Sequence, residues 1–150
     1  MIYVQGVART KNSANACFEL VEAGAIKLYL SQETLKEIED VLTRSKFRKR
    51  FSTLTDEMIE AFLNDVKSKA IILKNVPLVF NYSRDPKDEK YINLAVAAEA
   101  QFIVSRDNDL LDLMTSFDES GKEFRQKFRL LKIIEPIEFL RVIQAKNLSI

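Results

Sequence analysis

The sequence contains no histidine, one cysteine, three glycines and almost no net charge. Without histidine there is no imidazole base, no Ser–His triad and no His-containing zinc site. Cys17 stands alone, so an internal disulfide and a Cys-rich zinc site are both excluded. The glycines fall at positions 6, 24 and 121, from which neither a dinucleotide-binding G-x-G-x-x-G nor a P-loop can be drawn. The formal charge of +1 gives no overall pull toward nucleic acid. No apolar run is long enough to span a membrane: the most apolar stretch, 91–104, contains Glu99 and Gln101. "MIYVQ" followed by polar residues does not read as a signal peptide. With the lone cysteine, that leads us to expect a reducing, cytoplasmic setting. Chemistry in this chain therefore rests on carboxylates, lysine, tyrosine, hydroxyls or a bound cation.

What is present is ordinary in composition, with 47% hydrophobic and 30% charged residues over 150 positions. We expect a single domain, 1–150, with a real core. "MIYVQ" reads as a strand. Residues 13–23 place Ala16, Cys17, Leu20 and Val21 at helical spacing, and Gly24 stops that helix. Residues 26–31 have strand character. Ser31 then caps a helix through Arg44 whose buried face is Leu35, Ile38, Val41 and Leu42. Thr55 caps another, with Met58, Phe62 and Val66 as its stripe. Residues 71–76 read as a strand, 77–87 as a loop, 86–100 as a helix, 101–105 as a strand and 108–116 as a helix. After a basic, polar stretch, 131–134 is a last strand, and Pro136 suits the first turn of a last helix. Strands alternating with helices imply an α/β, three-layer architecture with a mainly parallel central sheet flanked by helices. The short apolar runs "FIV" and "LKII" suit strands covered on both faces.

The triplet Ser-Arg-Asp occurs twice, at 83–85 and 105–107, each copy followed by another acid. In open parallel sheets ligands bind beyond the carboxyl ends of the strands, which is where Asp107 falls. With Asp85 as N-cap and Pro86 at N1, Asp88 is N3 and shares a stripe with Ile92, Ala95 and Val96, the side expected to face the sheet. Asp85 itself lies outside the helix and reads as a cap. Glu37 sits beside Ile38, on the border of its helix's buried face. Each acid has an ordinary reading as well. Asp109 and Asp112 suit a helix dipole, and Glu37 belongs to a set of i,i+3 and i,i+4 charge pairs. Taken jointly, carboxylates grouped without imidazole or thiolate suit a hard cation such as Mg²⁺ or Mn²⁺.

Over most of its length the chain resembles the PIN-domain family, and in particular the toxin components of toxin–antitoxin systems. "LYLSQETLKEIEDVLTRSKFRKRF" resembles the family's strand–helix segment, whose metal-binding glutamate falls on Glu37. "SRDPKDEKYINLAVAAEAQFIVSRDNDLL" resembles its most specific block. There the acid before the apolar helix falls on Asp88, the acid after the strand on Asp107, and a less uniform acid on Asp109. "LKIIEPIEFL" resembles the closing strand–Pro–helix. The resemblance implies a flavodoxin-like fold, a Mg²⁺- or Mn²⁺-dependent ribonuclease site and, in many members, an antitoxin partner and a homodimer. The family's first strand ends in an acid, and "MIYVQ" resembles only the residues after that acid. Either a segment precedes Met1 or a metal ligand has been lost, and the chain as given is then expected to be a weak or inactive nuclease.

RNA binding needs cations. Two clusters supply them: Arg44, Lys46, Arg48, Lys49 and Arg50, interleaved with Phe47 and Phe51; and Lys122, Arg125, Lys127, Arg129 and Lys132, interleaved with Phe124 and Phe128. Arg48, Lys49 and Arg50 are the favoured RNA contacts. The phenylalanines either stack on bases or plug the core. The alternative function is a degenerate PIN domain that binds RNA or protein without cleaving it. A phosphoacceptor receiver is a distant third, because the paired acids after a first strand and a well-placed lysine are both missing.

Overall fold

A computed structural model describes Tyr3 and residues 13–148. The chain divides into two compact units, one within residues 2–74 and one within 75–150. Each is described by itself. Of the expected opening strand only Tyr3 lies among the described residues, and it is helical.

The first unit begins with α1 (Ser13–Glu22). Gly24 follows it at φ +73°, donating to the Val21 carbonyl while Ala25 donates to that of Leu20. This paired closure is the Schellman motif, and the left-handed backbone there is why a glycine ends the helix. Strand β1 (Tyr29–Ser31) leads into α2 (Gln32–Thr43). The junction is a reciprocal cap: the Thr34 amide donates to Ser31 Oγ (3.1 Å), and the Ser31 amide donates to Thr34 Oγ1 (2.9 Å). A short α3 (Ser45–Arg50), α4 (Asp56–Lys69) capped by Thr55, and β2 (Ile71–Leu73) complete the unit. β1 and β2 pair in parallel, with Leu30 opposite Ile72. The core gathers Leu30, Ile38, Leu42, Phe47, Leu54, Ile59, Phe62, Leu63 and Val66. Of the expected stripe of α4, Phe62 and Val66 are buried and Met58 is exposed; Ile59 and Leu63 complete the buried face.

The second unit starts with an irregular segment, 75–85, and continues through α5 (Pro86–Ala97), β3 (Phe102–Val104), α6 (Asn108–Leu111), a 3₁₀ turn (Asp112–Met114), α7 (Glu119–Lys127), β4 (Lys132–Ile134) and α8 (Pro136–Leu148). β3 and β4 are parallel, with Ile103 opposite Ile133. The architecture is thus mixed α/β, with parallel strands as the sequence implies and with helices predominating. The strands are shorter than expected. "FIV" and "KII" bury only their central residue fully, so cover on both faces is incomplete. The expected helix 108–116 is an α-turn followed by a 3₁₀ turn. Helix α7 occupies what the sequence presents as a basic, polar stretch.

Side chains hold the irregular segment against α5. Asn93, buried, accepts from the Val79 and Phe80 amides through Oδ1 (2.8 and 2.9 Å) and donates through Nδ2 to the Phe80 and Glu89 carbonyls. The Tyr82 amide donates to Glu89 Oε1 (2.7 Å). Phe80 and Tyr82 enter a core with Ile92, Ile103, Leu113, Phe124 and Ile133. The segment that carries the first Ser-Arg-Asp is thereby fixed without belonging to a strand.

Candidate metal centre

Helix α5 positions the first pair of acids. Asp85 is its N-cap, accepting from the Lys87 amide (3.1 Å), and Pro86 fills N1. One turn on, Asp88 stands on the face that also carries Ile92 and Ala95, and all three are buried. The end of β3 and the start of α6 position the second pair. The Asp107 amide donates to Ser105 Oγ, and Asp107 Oδ1 accepts from the Asp109 amide (both 3.0 Å). Both Ser-Arg-Asp triplets therefore end in an aspartate that caps a helix, and each cap is followed within three residues by a second acid.

These turns bring Asp85, Asp88, Asp107 and Asp109 together, with one carboxylate oxygen from each within 4.8 Å of the others. Asp107 is exposed, Asp85 and Asp109 are half-buried and Asp88 is buried. Asp88 Oδ2 is shut off from solvent and has no hydrogen-bond partner among the described residues. A buried carboxylate oxygen left unpaired is costly, and such groups are normally paired or bind a cation. Burial pushes the Asp88 carboxyl up to about 8, assisted by the Asp107 and then the Asp85 carboxylates beside it. Asp109 is also raised, by desolvation and by contact with Asp85, and Arg84 partly offsets this. The donor set is oxygen only and anionic, the chemistry that a hard divalent cation takes. The residues present thus fit such an ion. Acids of raised proton affinity grouped in this way form a site whose charge is unbalanced until a cation enters.

The sequence-derived candidates divide between the two units. Asp88, Asp107 and Asp109 meet in the second unit. Glu37 lies on α2 in the first unit, half-buried, between buried Thr34 and Ile38 and one turn before Val41. Asp85, which the sequence presents as a cap, is both a cap and a member of the group. The repeat of the Ser-Arg-Asp triplet was the signal for it. Arg48, Lys49 and Arg50 form the last turn of α3. Lys49 and Arg50 are exposed, and Arg48 is ion-paired with Asp56. Phe47 and Phe124 are core residues, with Phe51 and Phe128 packed against the same cores, so the phenylalanines plug the core. Arg125 is committed as well, donating to the Leu113 and Ser116 carbonyls (2.8 and 2.6 Å).

No helix among the described residues is long and apolar enough to cross a membrane. In comparisons with known proteins, no curated protein and no solved structure matches the chain. A family model does: that of the PIN domain, over residues 1–109. PIN domains are generally metal-dependent nucleases. The matched span closes on Asp109, so all four clustered aspartates fall inside it, and its length leaves the assignment plain: the chain belongs to the PIN-domain family.

Proposed function

We propose that this chain is a ribonuclease that hydrolyses RNA phosphodiesters with Mg²⁺ or Mn²⁺ held by Asp85, Asp88, Asp107 and Asp109. The observation that carries the reading is the Asp88 Oδ2 atom, buried, without a hydrogen-bond partner among the described residues and grouped with three other carboxylates. When bound, the ion would supply an activated water and neutralise charge on the scissile phosphate. Asp88 is the internal anchor, because burial limits its motion. Asp107 is exposed and stands where substrate and water arrive. The helix caps made by Asp85 and Asp107 fix the backbone at both turns, so these carboxylates do not depend on the ion for their position. Glu37 matches the family glutamate in sequence, and its candidacy as a ligand rests on that resemblance alone. RNA is held by Arg48, Lys49 and Arg50. Pairing with an antitoxin protein, and self-association as a dimer, derive from the toxin-like resemblance of the same blocks.

The test is cleavage of a labelled single-stranded RNA with Mn²⁺ and with EDTA, for the wild type and Asp107→Asn. We expect cleavage only with metal, and a loss of at least tenfold in Mn²⁺ affinity in the variant, since an anionic ligand is replaced by a neutral one. Asp107→Asn should fold as well as the wild type in EDTA, because a repulsive charge is gone. If the variant unfolds in EDTA as in Mn²⁺, Asp107 is structural and the cation reading fails. If the wild type binds Mn²⁺ and RNA but leaves RNA intact, the chain is a binding module of the same fold.

A further inference from the structure

Arg84 directly precedes the Asp85 cap, and its fork is divided between two acids. Its Nε lies 2.9 Å from Asp109 Oδ1, and its Nη2 lies 2.8 Å from Asp112 Oδ2. Asp109 belongs to the carboxylate group and Asp112 does not. Asp112 opens the 3₁₀ turn and is tied into it through its own carbonyl, which accepts from the Thr115 and Ser116 amides. Two residues before Arg84, the Tyr82 hydroxyl donates to the Asp109 carbonyl (2.5 Å). One segment thus holds both the main chain and the side chain of Asp109.

We propose that Arg84 is a positioning residue for the metal centre: anchored on Asp112, it fixes the Asp109 carboxylate in the orientation from which it joins Asp85, Asp88 and Asp107 around the ion. The proposal rests on the metal-site reading above. A guanidinium suits the task because its rigid planar donors span two carboxylates at once, whereas an ammonium is a point charge on a flexible stem. The geometry separates positioning from plain electrostatics by sign. As a charge, Arg84 repels a divalent cation, so removing it should tighten metal binding. As a brace, its removal frees Asp109 and weakens binding, despite the more negative cluster.

The experiment is Mn²⁺ titration of the full chain by calorimetry, with thermal unfolding in EDTA as the control for folding. Arg84→Met and Arg84→Lys should both lose about tenfold in Mn²⁺ affinity, the usual scale for residues that orient metal ligands. The failure of Lys to rescue identifies the fork rather than the charge. Asp112→Asn leaves the four ligands intact and should lose several-fold through the same brace, and it covers the case in which the Arg84 variants fail to fold. Metal binding by the wild type with unchanged or tighter binding in Arg84→Met overturns the proposal and leaves the metal site standing. Absence of Mn²⁺ binding by the wild type overturns both.

Discussion

Asp88 shows how one buried carboxyl couples folding to pH. Its folded pKa is about 8, against roughly 4 for an unfolded aspartate. Between those values the folded chain holds a proton that the unfolded chain has released. The stability that this group contributes is therefore complete below about pH 4 and falls as pH rises toward 8. Melting in EDTA from pH 5 to 9 should show the wild type losing stability relative to Asp88→Asn across that window. Parallel curves would mean that the burial of Asp88 carries no such linkage. Saturating Mn²⁺ should oppose the loss, adding about 2.7 kcal/mol at a hundredfold excess over Kd. Asp88 was legible in the sequence because helical spacing put it on the stripe of Ile92 and Ala95. Asp85 was not, because capping already accounts for an aspartate at that position, whereas a carboxylate has two oxygens and can cap with one.

At the scale of elements, two backbone positions invite opposite substitutions. Glu99 ends α5 in the left-handed region (φ +53°), where its amide donates to the Val96 carbonyl and the Ala100 amide to that of Ala95. This is the closure that Gly24 makes after α1, here made by a residue with a Cβ. Glu99→Gly should stabilise by up to about 1 kcal/mol, the strain relieved less the extra freedom of the unfolded glycine. Gly121 is the reverse case: a Cβ there would stand 2.7 Å from the Ser116 carbonyl oxygen. Gly121→Ala should destabilise by about 1–3 kcal/mol despite the better helix propensity of alanine. Urea titration of both variants checks the signs. The same glycine explains why α7 escaped the sequence. "ESGKEFRQK" offers Phe124 as its one large apolar side chain and a glycine in its first turn, so no periodic stripe is visible. The surviving signal was Asp118, whose carboxylate accepts from the Gly121 amide (2.9 Å). The ends of α2, α4, α5 and α8 were readable because Ser31, Thr55, Asp85 and Pro136 mark them chemically. Strand ends carry no such mark, and the strands came out shorter than the apolar runs suggest.

At the scale of the whole molecule, a formal charge of +1 makes RNA affinity depend on where cations cluster. Reversal of Arg48, Lys49 and Arg50 to Glu should weaken RNA binding and flatten its dependence on salt, since fewer counterions are released. Binding that is unchanged at low and at high salt would remove α3 as the RNA surface. Melting of the variant should drop slightly as well, because the Arg48–Asp56 pair is lost, though exposed pairs are worth only about 0–1 kcal/mol. Asn93 has a consequence that reaches beyond its own helix. The Val79, Phe80 and Tyr82 amides lie in a segment without secondary structure, yet each donates to a side chain of α5. In deuterium oxide they should resist exchange as strand amides do. They should also exchange in step with the middle of α5 rather than with the flanking coil, because a single local unfolding event has to release both.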